Sequence, residues 1–284
     1  MMISAMLIFG SIGIFRRFIP LSSALLACWR GLTGTALLLL IVRVSGRKVR
    51  HGIGRKKTLL LIISGAMIGL NWILLFEAYN YTTVAVATLC YYMQPTIVVL
   101  LSPLIFREQL TAKKLVCALI AVAGMFFVSG VMGGGLPQAG ELKGILCGLG
   151  AAGLYAFVVI LNKRMPGIDP YEKTILQLLF AALVLLPYIL TREDLSAVRP
   201  DGRLILLLLI VGLVHTGIAY VLYFAAIDGL KAQTAAILSY VDPISALVFA
   251  AIFLPGESLT VYGMIGAVMI LGAALVSEGT GKKI

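Results

Sequence analysis

Apolar residues run along this chain in blocks of about twenty, each closed by a charge or a turn residue. The blocks predict helices near 2–18, 22–43, 58–78, 84–106, 112–132, 141–162, 172–191, 203–226, 233–254 and 260–277. A helix crossing a bilayer needs about 20 residues. Backbone in hydrocarbon must be hydrogen-bonded internally, so blocks of this length read as helices and not as isolated strands. The expected fold is an all-α membrane protein of ten transmembrane helices, with short loops and no room for an extramembrane domain.

Composition strengthens that reading. Of the 284 residues 61% are apolar and 12% charged, where a soluble domain carries about 25% charged residues. The net charge of +11 raises the question of nucleic acid, but the basic residues gather at the ends of apolar blocks, which is the pattern of membrane topology. Of the 23 lysines and arginines, Arg16, Arg17, Lys143, Arg192, Arg199 and Arg203 fall on one side and Arg30 lies inside a block; the other sixteen fall on the opposite side. The positive-inside rule makes that richer side cytoplasmic and puts both termini there, in a multi-pass protein of the cytoplasmic membrane. The N-terminus lacks the basic stretch of a cleavable signal peptide, since Arg16 and Arg17 follow the first apolar block. Cys28, Cys90, Cys117 and Cys147 lie inside apolar blocks with no CxxC pair, and read as small buried hydrophobes.

A shift of 148 residues aligns the chain with itself. Gly69 meets Gly217, Phe76 meets Phe224, Ala87 meets Ala235, Tyr92 meets Tyr240, Pro95 meets Pro243 and Gly124 meets Gly272. Glu108-x-Leu110-Thr111 matches Glu257-x-Leu259-Thr260 after a one-residue slip. The Tyr-x-x-Pro and Glu-x-Leu-Thr matches carry the argument, because those residue types are rare in spans. The repeats, residues 1–132 and 141–284, each hold five predicted helices. An odd number makes the second repeat enter the membrane from the opposite side, the inverted arrangement used for alternating access. The sixth helix begins near Glu141, whose counterpart falls before residue 1, so the first helix is expected to lack about two turns and the natural start to lie upstream of Met1.

Ionisable groups at membrane depth are costly, about 2.5–3.5 kcal/mol each on insertion scales, and mark candidate sites. Arg30, midway along the second helix, is suited either to a substrate carboxylate or phosphate or to a fixed ion pair. Asp242 precedes Pro243 midway along the ninth helix, at the depth where the first half has Gln94-Pro95; it is suited to a cation, to a proton, or to neutralising Arg30. The two prolines are expected to act as kinks or hinges. Ser239, Asp242 and Ser245 share a face. His215 reads either as a titrating group or as a hydrogen-bonded packing residue. Trp72, Phe76 and Tyr79 form a stripe matched by Tyr220, Phe224 and Ile227, and Tyr91, Tyr92 and Tyr240 add rings beside the prolines. These rings either line a pocket or pack helices. Gly144, Gly148 and Ala152, spaced every four positions, read as close helix contacts. The expected substrate-binding set is Arg30, Trp72, Tyr92, Gln94, His215, Tyr220, Tyr240 and Asp242, with Pro95 and Pro243 as hinges and no metal or cofactor.

These residues resemble the drug/metabolite transporter superfamily, and within it the ten-helix EamA-type transporters. The resemblance rests on Asn71 followed by Phe76-x-Ala78, Pro95, Glu108 and Gly124, then on Tyr220, Phe224-x-Ala226, Pro243, Glu257 and Gly272, with Arg30 like the arginine often found in that family's second span. It implies two inverted five-helix repeats, a central cavity, and export of amino acids, other metabolites or drugs, often proton-linked. The expected function is a secondary transporter acting on a small-molecule solute, with membrane lipid and protons as partners and no nucleic acid. A lipid flippase or uptake carrier of the same fold is the alternative. An intramembrane enzyme is disfavoured, because the chain has no HExxH, no GxSxG and no paired intramembrane aspartates in a shared motif.

Overall fold

The computed structural model describes residues 1–46, 53–106, 111–128, 138–195, 198–199, 201–227, 238–257 and 260–278. Among the described residues every long element is a helix: α1 Met2–Arg17, α2 Ser23–Val44, α3 Arg55–Tyr81, α4 Val84–Tyr91, α5 Gln94–Phe106, α6 Ala112–Val128, α7 Ala139–Lys163, α8 Pro170–Arg192, α9 Gly202–Leu209, a π-helical segment Ile210–Ile218, α10 Ala219–Ile227, α11 Val241–Phe253 and α12 Val261–Glu278. Polar residues start several of them. Ser22 Oγ accepts from Leu25 N at 3.2 Å, Thr83 Oγ1 from Val86 N at 3.1 Å, and Asp201 Oδ1 from Leu204 N at 2.7 Å. Asp169 caps α8 through Tyr171 N and Glu172 N, with Pro170 at the first helical position, where no N–H is needed.

Among the described residues, six helical stretches are long and apolar enough to cross a membrane: α2, α3, Val84–Ile105, α7, α8 and Gly202–Tyr223. Helices α1, α6, α11 and α12 are shorter, at 13 to 18 residues. Large apolar side chains cover the outside, among them Leu104 at 80% and Val268 at 72% exposure. Such a surface is stable only against lipid, so this is an integral membrane protein.

In three spans the structure departs from the helices expected. The stretch 84–106 is not one kinked helix. It stops at Tyr91, turns through Tyr92 and Met93, and restarts at Gln94 with Pro95 in the first turn of α5. Pro243 likewise sits in the first turn of α11, behind a turn at Tyr240. A proline lacks the N–H that helix interiors require and clashes with the preceding turn, and a helix start relieves both problems. The stretch 203–226 is helical throughout, but its middle widens into the π turn. Glu108, Asp228 and the first part of the ninth expected helix lie outside the described residues, as do the side chains of Phe224 and Ile227.

The helices pack closely. α3 lies against α7 and α8, α2 against α8 and the π segment, α6 against α12, and α1 against α10 and α11. Glycines permit this. A Cβ at Gly144 would stand 2.8 Å from Thr82, and one at Gly148 would stand 2.8 Å from Cys90, as the four-residue spacing suggests. Buried amides tie the same helices together. Asn71 Nδ2, fully buried, donates to Ala151 O at 2.6 Å, and Gln177 Nε2 donates to Ser64 Oγ and Asn162 Oδ1, both at 2.8 Å. The four cysteines are free thiols, three of them buried.

Candidate functional site

The breaks and the neighbouring helices enclose a cavity of about 350 Å³, within the range that holds small molecules. Arg30 comes from α2, Trp72 and Tyr79 from α3, Tyr92 from the α4–α5 turn, Gln94 and Pro95 from α5, Tyr220 and Tyr223 from α10, Tyr240 from the turn before α11 and Asp242 from α11. Seven of the eight expected binding residues thus share one chamber, and His215 does not. That ring is 2% exposed, with Nε2 2.8 Å from Ser11 Oγ, Nδ1 3.3 Å from Ile210 O and Phe15 edge-on at 4.7 Å. It joins α1 to the π segment. Pro243 is buried outside the lining, whereas Pro95 contributes to it.

Arg30 is 5% exposed. Its guanidinium carbon stands 4.1 Å over the Trp72 ring and 5.5 Å from Phe76, and Nε donates to Thr216 Oγ1 at 3.2 Å. Among the described residues neither terminal nitrogen has a protein acceptor and no carboxylate lies within 4.0 Å. Asp242 Oδ2 accepts from Tyr92 Oη at 2.6 Å, which leaves Oδ1 without a protein donor among the described residues. The two residues therefore line one cavity without neutralising each other. A cation and an anion that are held but unpaired present one charge of each sign to whatever enters.

Phe9, Tyr155 and Thr88 also line the chamber, and the sequence did not single them out. Helix α1 contributes Met6, Phe9, Gly10 and Ile12 despite its short length. The rings form two groups: Phe9 meets Tyr220 at 5.4 Å and Tyr223 at 6.5 Å, and Tyr91 meets Tyr92 and Tyr155, each at 5.8 Å. Next to this cavity, sharing Gln94 and Pro95 with it, lies a second one of about 230 Å³ lined by Thr96, Lys114, Cys117 and Ser277. At the end of α1, Arg17 is paired with Glu257 and donates to Thr82 O at 2.9 Å, and Glu257 Oε2 accepts from Val84 N at 2.7 Å. Glu77 accepts from Ser23 Oγ at 2.6 Å.

A partly open cavity among lipid-facing helices, lined by aromatic rings together with a guanidinium and a carboxyl group, is suited to holding a small solute. The chain belongs to the EamA-like transporter family, whose model matches residues 1–130 and 142–278, in keeping with the drug/metabolite transporter superfamily. It is 31% identical over 277 residues to an uncharacterized transporter, YxxF, of Bacillus subtilis (strain 168), covering 96% of this chain and 87% of that one. It is 25% identical over 288 residues to an uncharacterized transporter of Vibrio cholerae, covering 99% and 91%. Protein PecM of Dickeya dadantii is 27% identical over 226 residues, covering 77% and 73%. A crystal structure described simply as that of a protein superposes with a TM-score of 0.67 over 96% of this chain and 93% of its own, at 19% identity, a likeness of fold.

Proposed function

We propose that this protein is a secondary transporter that carries a small polar or amphipathic metabolite outward across the cytoplasmic membrane by alternating access. The observation that carries the reading is the unpaired Arg30 and Asp242 in one membrane-embedded cavity. Arg30 takes the anionic end of the solute, and Asp242 takes its cationic end or a coupling proton. Trp72, Tyr92, Gln94, Tyr220 and Tyr240 shape the space between them. The architecture we assign is ten membrane-crossing helices in two inverted repeats, residues 1–132 and 141–284, with both termini cytoplasmic. Support comes from the 148-residue repeat, from the backbone breaks beside Tyr92-x-x-Pro95 and Tyr240-x-x-Pro243, and from the one-sided distribution of lysine and arginine.

The test is flux into proteoliposomes of labelled amino acids and amines, with and without a pH gradient, for wild type, Arg30→Ala and Asp242→Asn. A charge-assisted hydrogen bond contributes about 1.5–3 kcal/mol, so each variant is expected to lose tenfold or more of the wild-type kcat/KM, at about 1.4 kcal/mol per tenfold. Wild type that moves no solute under any gradient sinks the transport reading. Flux unchanged in both variants sinks the site.

A further inference from the structure

The guanidinium of Arg30 is held on two sides by neutral groups, and one of them belongs to the least regular part of the fold. Trp72 lies under its face at 4.1 Å and Thr216 Oγ1 receives its Nε edge at 3.2 Å. Thr216 sits in the π-helical segment Ile210–Ile218, and its own hydroxyl proton goes to Val211 O at 3.1 Å, five residues back. In a regular α-helix a threonine hydroxyl back-bonds three or four residues earlier. The wider turn changes that offset. With its single proton committed to Val211, the hydroxyl can serve Arg30 only as an acceptor. The approach is close because α2 and the π segment each carry glycine here: a Cβ at Gly34 would stand 2.5 Å from Thr216 Cγ2, and one at Gly212 would stand 2.6 Å from Thr33 Oγ1. Trp29 Nε1 donates to Leu208 O at 2.8 Å just ahead of the π turn and fastens the same two elements.

We propose that Thr216 is a positioning residue for anion recognition: it fixes the Nε edge of Arg30 so that the two terminal nitrogens face the cavity as a ready fork for a carboxylate or phosphate. The proposal rests on the reading of Arg30 as the solute's anion contact. An arginine held only by its stem keeps much of its rotamer freedom and loses it on binding, whereas one fixed at the edge and at the face has lost it beforehand. π turns inserted in α-helices concentrate at functional sites, and here the turn delivers an acceptor that a regular helix would direct elsewhere.

The chain has two tryptophans, Trp29 and Trp72, so full-length protein labelled with 5-fluorotryptophan gives two ¹⁹F resonances, assigned with Trp72→Phe. Arg30→Met sets the position of the Trp72 signal without a cation above it. Thr216→Val, which keeps the shape and removes the acceptor, is expected to move that signal more than half way to the Arg30→Met position; Thr216→Ser is expected to leave it near wild type. Thr216→Ala serves as a second acceptor-free variant should the valine fail to fold. A Trp72 signal that stays at the wild-type position in the acceptor-free variant overturns the proposal, and so does one that moves equally in Thr216→Ser. Titration with benzoate then separates this inference from the reading beneath it. Wild type is expected to bind saturably, Thr216→Val about fivefold to tenfold more weakly, Thr216→Ser within twofold, and Arg30→Met not at all. Binding that survives in Arg30→Met removes the anion site itself. Binding lost in Arg30→Met but equal in Thr216→Val and Thr216→Ser removes only the role of Thr216.

Discussion

Gly10→Val should leave a protein that is strongly destabilised and transports below detection. A Cβ at Gly10 would stand 2.1 Å from Ser245 Oγ and 2.6 Å from Asp242 O. The serine side chain can rotate, but the carbonyl belongs to the first turn of α11 and cannot. Ordinary contact begins at 3.4 Å, so α1 and α11 would have to part by most of an ångström along the seam that carries Asp242. Overpacking of this kind costs about 1–3 kcal/mol. Functional geometry is less tolerant, because a displacement of about 1 Å at a positioned group can cost a hundredfold in rate. Gly10→Ala should be intermediate. Gly153, whose Cβ would meet nothing within 4 Å, is the control: inside helix α7, Gly153→Ala should stabilise by about 0.5–1 kcal/mol. Melting temperatures in detergent and proteoliposome flux read the two effects separately. Wild-type values for Gly10→Val would show that α1 does not bear on the cavity.

The second large effect is expected at the contact joining α1, the α3–α4 turn and the segment between α11 and α12. Glu257 accepts the first N–H of α4, from Val84, and pairs with Arg17, which also donates to Thr82 O. The carboxylate thus meets the partial positive charge of a helix N-terminus and a guanidinium together. Glu257→Ala leaves that N–H without its acceptor and Arg17 with Thr82 O alone. Bonds to charged groups contribute about 1.5–3 kcal/mol, and the pair is only partly exposed, at 31% for Arg17 and 12% for Glu257. We expect a loss of about 2–3 kcal/mol in unfolding free energy. Arg17→Met alone should cost less, because Val84 keeps its cap. A double-mutant cycle should give a coupling of about 0.5 kcal/mol or more; strictly additive losses would mean that the two side chains act independently.

Much of the chamber was legible in the sequence, for particular reasons. Arg30 and Asp242 stand out because charge at membrane depth is rare, and Tyr92-x-x-Pro95 and Tyr240-x-x-Pro243 stand out because proline cannot continue a helix. What stayed hidden shares a physical cause. In lipid the outward face of a helix is as apolar as its packed face, so hydropathy does not tell Phe9, which lines the cavity, from Leu104, which meets lipid. Tyr155 and Tyr223 likewise read as ordinary aromatics of a membrane helix. The π turn leaves no mark in the pattern at all: Thr216 acquires its role from a five-residue offset in the backbone and from contact with a helix nearly two hundred residues earlier. Of the alternatives open for Asp242, neutralising Arg30 is the one the packing does not realise, for a related reason. Charge balance can be counted along a chain, but whether two charges meet is decided by packing, and here Trp72, Thr216 and Tyr92 occupy the places a counterion would take.

The wall of phenols around the chamber has a consequence for what fills it between solutes. Each tyrosine hydroxyl both offers and receives a hydrogen bond, and none fixes the direction of its partner as firmly as a backbone amide does. An unoccupied chamber of this make-up holds water in many interchangeable arrangements, and a guest enters by exchanging places with that water. Discrimination then falls on the spacing between the two charged ends of the guest, while the outline of its middle is judged leniently. A series of zwitterions of graded length, from short to long at constant ring size, should therefore show one sharp optimum, and a series of graded ring size at constant length should show a broad plateau.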